Sequence, residues 1–213
     1  MKTDDLIAML ASGVAPVDPN IARKRFQTAL LMGSLGALVL MLAGYGVRHD
    51  IAQAVALPMF WVKLAFPLAM GLPALLLTSR LSHPGVPAGK TWMLLPLPWL
   101  FVAAMAVLVL ANAAPDARLP LVLGESWLSC AFSIAYISVP ALIGMLWAVK
   151  GLAPTRPALA GACAGLAAAA AGAAVYALHC PEMQAPFLAI WYMLGMLIPT
   201  ATGALLGGKL LRW

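Results

Sequence analysis

The sequence predicts an all-α integral membrane protein: a bundle of six transmembrane helices with both termini in the cytoplasm. Three observations predict it. Of the 213 residues, 63% are hydrophobic and 9% charged, whereas a soluble domain is about one quarter charged. Six apolar runs each reach the length of about 20 residues that crosses a bilayer as a helix. The basic residues gather at the ends of those runs, ten on one side and two on the other, which sets the orientation by the positive-inside rule. The net charge of +6 is therefore a topological signal, and no direct contact with nucleic acid is expected.

Residues 1–25 form a cytoplasmic segment and residues 26–213 the membrane domain. Near the N-terminus, Thr3 can cap a short helix whose first turn holds Asp4 and Asp5, favoured there by the helix dipole. Leu6, Ile7, Met9 and Leu10 fall on one face of it. Gly13 to Pro19 reads as a tether to the basic anchor Arg23-Lys24-Arg25. The amphipathic helix suits either a membrane surface or a docking peptide that orders on a cytosolic partner. The first apolar run is too long for a cleaved signal and lacks a clear cleavage site.

The spans run from Phe26 to Val47, Phe60 to Ser79, Met93 to Ala111, Trp127 to Val149, Ala158 to Leu178 and Phe187 to Leu206. Their mean hydropathy is high throughout and lacks the alternation of barrel strands. The cytoplasmic side collects Lys2, Arg23, Lys24, Arg25, Arg80, Lys90, Lys150, Arg156, Lys209 and Arg212; the other side has Arg48 and Arg118. Lys63 lies within one turn of the outer end of the second span, and snorkelling to the interface is the expected behaviour. Trp61, Trp127 and Trp191 stand near the starts of the spans that enter from outside, as an interfacial belt. Pro67, Pro73, Pro96, Pro98, Pro140 and Pro199 interrupt spans and predict kinks. The Gly161-x-x-x-Gly165 face, extended by Gly172, suits close helix packing within the bundle or a homodimer.

The cysteines are the most informative polar feature, whether Cys130 and Cys180 act as a pair or are unrelated small residues that share a level. Cys130 and Cys180 fall at one depth, near the outer ends of the fourth and fifth spans. Two thiols at one level can pair as a disulfide in an oxidising compartment or hold a soft metal ion transiently. His179 and Glu182 add donor atoms beside Cys180, and Trp127 lies next to Cys130. Cys163 is seventeen residues from Cys180, about 25 Å along a straight helix, and reads as a packing residue. The chain contains no phosphate loop, no His-Glu-x-x-His and no Cys-x-x-Cys. It is not expected to be an enzyme or to hold a cofactor; a membrane thiol oxidoreductase or small metal carrier using the same cysteines is the alternative.

Seven stretches together make the chain resemble the NrsF-type negative regulators of extracytoplasmic-function sigma factors. They are Met1 to Ile7, Phe60-Trp-Val-Lys63, Ser126 to Cys130, Ala153 to Pro157, Tyr176 to Glu182, Trp191-Tyr192 and Leu210 to Trp213. The resemblance implies a multi-pass anti-sigma factor of the bacterial inner membrane. It would hold an extracytoplasmic-function sigma factor inactive and release it on heavy-metal or oxidative stress. It also implies that Cys130 and Cys180 are the sensing cysteines. The resemblance does not identify the residues that grip the sigma factor. The N-terminal segment is expected to contribute them through Asp4, Asp5, Leu6, Ile7, Met9 and Leu10, with the loops from Arg80 to Lys90 and from Lys150 to Arg156.

Overall fold

The computed structural model describes residues 3–12 and 20–212, so the tether from Gly13 to Pro19 and the terminal Trp213 lie outside the described residues. Every regular element among them is helical: α1 Thr3–Ala11, α2 Ile21–Gly44, α3 Ile51–Val55, α4 Pro58–Leu81, α5 Pro96–Asn112, α6 Pro115–Leu123, α7 Trp127–Ile137, α8 Val139–Lys150, α9 Pro157–Tyr176, α10 Ala185–Phe187 and α11 Met193–Leu210. Six segments are long and apolar enough to cross a membrane: α2, α4, the stretch Gly89–Asn112, the stretch Pro115–Lys150, α9 and the stretch Ala185–Leu210.

Three spans are less regular than the sequence suggests. The third opens with a 3-10 turn, Gly89–Leu94, before Pro96 starts α5. The fourth is preceded by α6, which ends at Gly124 with φ +58, a backbone conformation that disfavours any side chain. It is then broken at Ser138, between α7 and α8, because Pro140 lacks the N–H that would bond the carbonyl four residues earlier. The sixth contains a π-helical turn, Leu188–Tyr192, between α10 and α11.

Helix α9 is the hub of the bundle, packing on α2, α4, α7, α8 and α11. Its sequence explains this position. It is apolar all round and almost wholly Ala and Gly, so it can be buried on every side and lets neighbouring backbones come close. The closest seam is with α11: a Cβ added at Gly161 would strike the Gly203 carbonyl, one at Gly165 the Pro199 carbonyl, and one at Gly203 the Gly161 carbonyl. The Gly161 and Gly165 face is thus spent inside the bundle and is not available to a second copy. The buried hydroxyls of Thr78, Ser82 and Ser138 each donate to the carbonyl four residues back, at 2.7–2.8 Å.

The two ends of the bundle differ in charge. At one end, Arg25 stacks over the Trp147 ring at 4.6 Å, and Arg156 shares a cleft with residues 85–88. The other end carries the connection after α2, the α6–α7 turn and residues 177–184. Helix α1 precedes the first of these ends in the chain. It buries no residue, and Ile7, Met9 and Leu10 are 58–67% exposed.

Candidate functional site: a buried thiol pair under a clamped loop

Cys130 sits one turn into α7, its N–H bonded to the Ser126 carbonyl at 2.9 Å. Cys180 follows the last turn of α9, with its N–H on the Tyr176 carbonyl at 3.0 Å. Pro181 comes next and prevents α9 from continuing, so the chain turns across the end of the bundle. This brings the two thiols into contact. Both are free and wholly buried. Cys163 is also buried, further back along α9.

The loop over the pair is held by four charged side chains. Lys63 of α4 donates to the Cys180 carbonyl at 2.5 Å and to the Glu182 carbonyl at 2.8 Å. Arg48 donates to the Cys180 and Pro181 carbonyls at 3.2 and 3.4 Å, and its backbone N–H bonds the Leu178 carbonyl. Asp50 orients Arg48 through two bonds of 2.7 and 2.6 Å. Those bonds hold the Asp50 carboxyl down to about 2, so the pair stays ionised at neutral pH. The Glu182 carboxylate faces the other way. It accepts from the Glu125 and Ser126 N–H groups at 2.7 and 3.2 Å, tying the Cys180 loop to the turn that launches α7. An anion at that position is favoured by the exposed N–H groups of a helix start.

Aromatic rings wall the site. Tyr176 is 6.3 Å from Tyr45, 5.7 Å from His179 and 6.1 Å from Tyr192. His179 Nδ1 lies 3.0 Å from the Gly46 carbonyl and therefore carries the proton. Tyr192, wholly buried, faces the Cys180 thiol from the π-helical turn, and its hydroxyl meets no nitrogen or oxygen partner among the described residues. Trp127 meets Trp191 in a tilted contact, ring centroids 5.4 Å apart, and Trp191 donates to the Val122 carbonyl at 2.9 Å.

The Cys180 thiol is held below the ordinary cysteine range, first by its contact with Cys130 and then by the nearby Lys63 ammonium. Thiolate is the form that attacks oxidants and binds metals. Among the described residues no three His, Cys, Asp or Glu side chains converge to hold a metal ion. His179 and Glu182 point to backbone groups, away from the thiols. The arrangement can form one disulfide, or offer two sulfurs to a soft ion.

The structure gives two basic residues a larger part than the sequence does. Lys63 does not snorkel: its side chain is fully buried, because the 180–182 carbonyls supply the polar partners that the interface would have given. In the sequence Arg48 is only one of the two outer charges. The available signal was the rule that a charge within a span marks function. No local pattern announced that Arg48 would share its carbonyl target.

A six-helix membrane protein with a thiol pair buried at one end and an exposed amphipathic helix before the other has the parts of a transmembrane regulator. Residues 10–213 match the family described as "Negative regulator of sigma F", and the chain belongs to that NrsF family. It is 48% identical, over the full length of both chains, to the "Probable anti-sigma-F factor NrsF" of Azospira oryzae. It is 40% identical, again over the full length of both, to the "Anti-sigma-F factor NrsF" of Caulobacter vibrioides. No solved structure matches the fold.

Proposed function

We propose that this protein is an anti-sigma factor of the bacterial inner membrane. It holds an extracytoplasmic-function sigma factor at the cytoplasmic face and releases it when Cys130 and Cys180 meet an oxidant or a soft metal. The full-length similarity to two anti-sigma factors supports the regulatory role, and the basic residue distribution supports the orientation. The observation that carries the sensing step is the contact between the two thiols beneath a loop clamped to α4 and α7.

The chemistry is balanced simply. With a hydroperoxide as oxidant, two thiols give one disulfide, and the hydroperoxide becomes an alcohol and water. Both thiols are buried, so the 177–184 loop must yield before a reagent enters. A cleft of about 460 Å³ lined by Pro120, Gly124, Glu125, Pro181 and Glu182 lies against that loop. Opening it breaks bonds to Lys63, Arg48 and the α7 turn together, which passes the event to three elements.

At the other face, α1 presents Leu6, Ile7, Met9 and Leu10 beside Asp4 and Asp5, a suitable docking peptide. The test is co-purification of the solubilised protein with its sigma factor, with and without residues 1–12. The full chain retains the sigma factor, and the shortened chain loses it at least tenfold. Equal retention removes α1 from the interface. No retention by either chain, together with thiol turnover or stoichiometric bound metal, favours an oxidoreductase or metal carrier.

A further inference from the structure

We infer that Lys63 is a working part of the thiol site: it is the counter-ion of a Cys180 thiolate, which makes Cys180 the reactive sulfur and Cys130 its protonated partner. The inference rests on the sensing role proposed above for the pair.

The geometry gives Lys63 few other reasons to be where it is. Its side chain is wholly removed from solvent, and an isolated ammonium in that position costs several kcal/mol. The two carbonyls it meets are neutral and satisfy two of its three N–H groups. No carboxylate among the described residues is positioned to neutralise it. Glu182, whose own carbonyl it binds, sends its carboxylate to the Glu125 and Ser126 N–H groups. Asp50 is taken by Arg48. The ionisable groups left to act on the ammonium are the two thiols, Cys180 ahead of Cys130, and it is the Cys180 segment to which the ammonium is hydrogen-bonded. Its charge also lies 5.6 Å from the centroid of the Tyr192 ring, a weaker cation–π support.

The other groups facing Cys180 do not replace this role. Arg48 spends its donors on Asp50 and on carbonyls. From α7 comes Cys130, from α9 Tyr176 and from the π-helical turn Tyr192. On its own loop, His179 bonds the Gly46 carbonyl. Arg48 also acts on the Cys180 thiol, but Lys63 is the cation that lowers it most. It also makes the sensor direction-specific: once Cys180 is consumed by a disulfide, Lys63 loses its anion and becomes an uncompensated charge in a buried site.

The test reads ionisation directly and needs no reagent to enter. Full-length protein carrying Cys163→Ser is titrated in detergent by thiolate ultraviolet absorbance, alone and with Lys63→Met, Lys63→Arg or Cys180→Ser. The expected result is a thiolate step below the ordinary cysteine range that disappears in Cys180→Ser. Lys63→Met lowers the thiolate fraction at pH 7 at least tenfold, and Lys63→Arg restores it. A step unmoved by Lys63→Met overturns the inference. So does an intact chain whose thiols titrate only at ordinary values, a result that does not depend on any Lys63 variant folding. If the step moves as expected but cells carrying Lys63→Met release the sigma factor normally under oxidant, the counter-ion stands and the sensing role falls.

Discussion

At the residue scale, three backbone carbonyls matter as much as the two sulfurs. Residues 180–182 turn successive carbonyls towards Lys63 and Arg48, so two cations hold the segment that carries Cys180. Glu182 performs a separate task, fastening that segment to the start of α7 and thereby setting the position of Cys130. Hydrogen bonds to a charged acceptor contribute about 1.5–3 kcal/mol each, and Glu182 is only half-buried. Glu182→Gln keeps the shape and removes the charge; it should lower stability by about 1–2 kcal/mol and speed maleimide labelling of both cysteines. Thermal unfolding in detergent and labelling kinetics check both effects. Unchanged labelling would show that the loop opens without disturbing the α7 turn.

At the element scale, apolar length alone located the spans, and basic residues marked their ends. Helix length and hydrophobicity are additive along the chain, so a sequence states them openly. The irregularities were less legible. Pro140 announced the break at Ser138, but the π-helical turn that aims Tyr192 at Cys180 left no composition signal. The Gly161 and Gly165 face was recognisable as a packing surface, whereas its partner, the Gly203 and Gly207 face of α11, follows only from the fold. This seam yields a prediction. Gly203→Val places side-chain atoms against the Gly161 carbonyl and must separate α9 from α11, so it should destabilise by about 1–3 kcal/mol or more. A melting shift measured by circular dichroism checks it. A substitution at Gly44, where an added Cβ meets nothing within 4 Å, should shift it far less.

At the scale of the whole molecule, the proposed function requires a thiol event to be carried through about 30 Å of hydrocarbon. Helix α9 is suited to it. It ends just before Cys180, starts at Pro157 beside the basic end, and contacts five other helices along the way. Its Ala and Gly surface forms close, stiff seams, so a displacement at one end is passed on more than absorbed. The required energy is small, since a tenfold change in sigma-factor affinity needs only about 1.4 kcal/mol of coupling. The site itself was half legible in the sequence. Equal depth suggested that Cys130 and Cys180 could meet, while the clamp of Lys63 and Arg48 depends on loop geometry that no local pattern encodes.

The measurement that bears most directly on this account is sigma-factor retention by the solubilised complex before and after treatment with a hydroperoxide, with the Cys130–Cys180 bond followed by peptide mass spectrometry. Retention should fall at least tenfold as the bond forms, reductant should restore it, and Cys130→Ser and Cys180→Ser proteins should keep the sigma factor throughout. A fully formed Cys130–Cys180 bond with the sigma factor still held would contradict it.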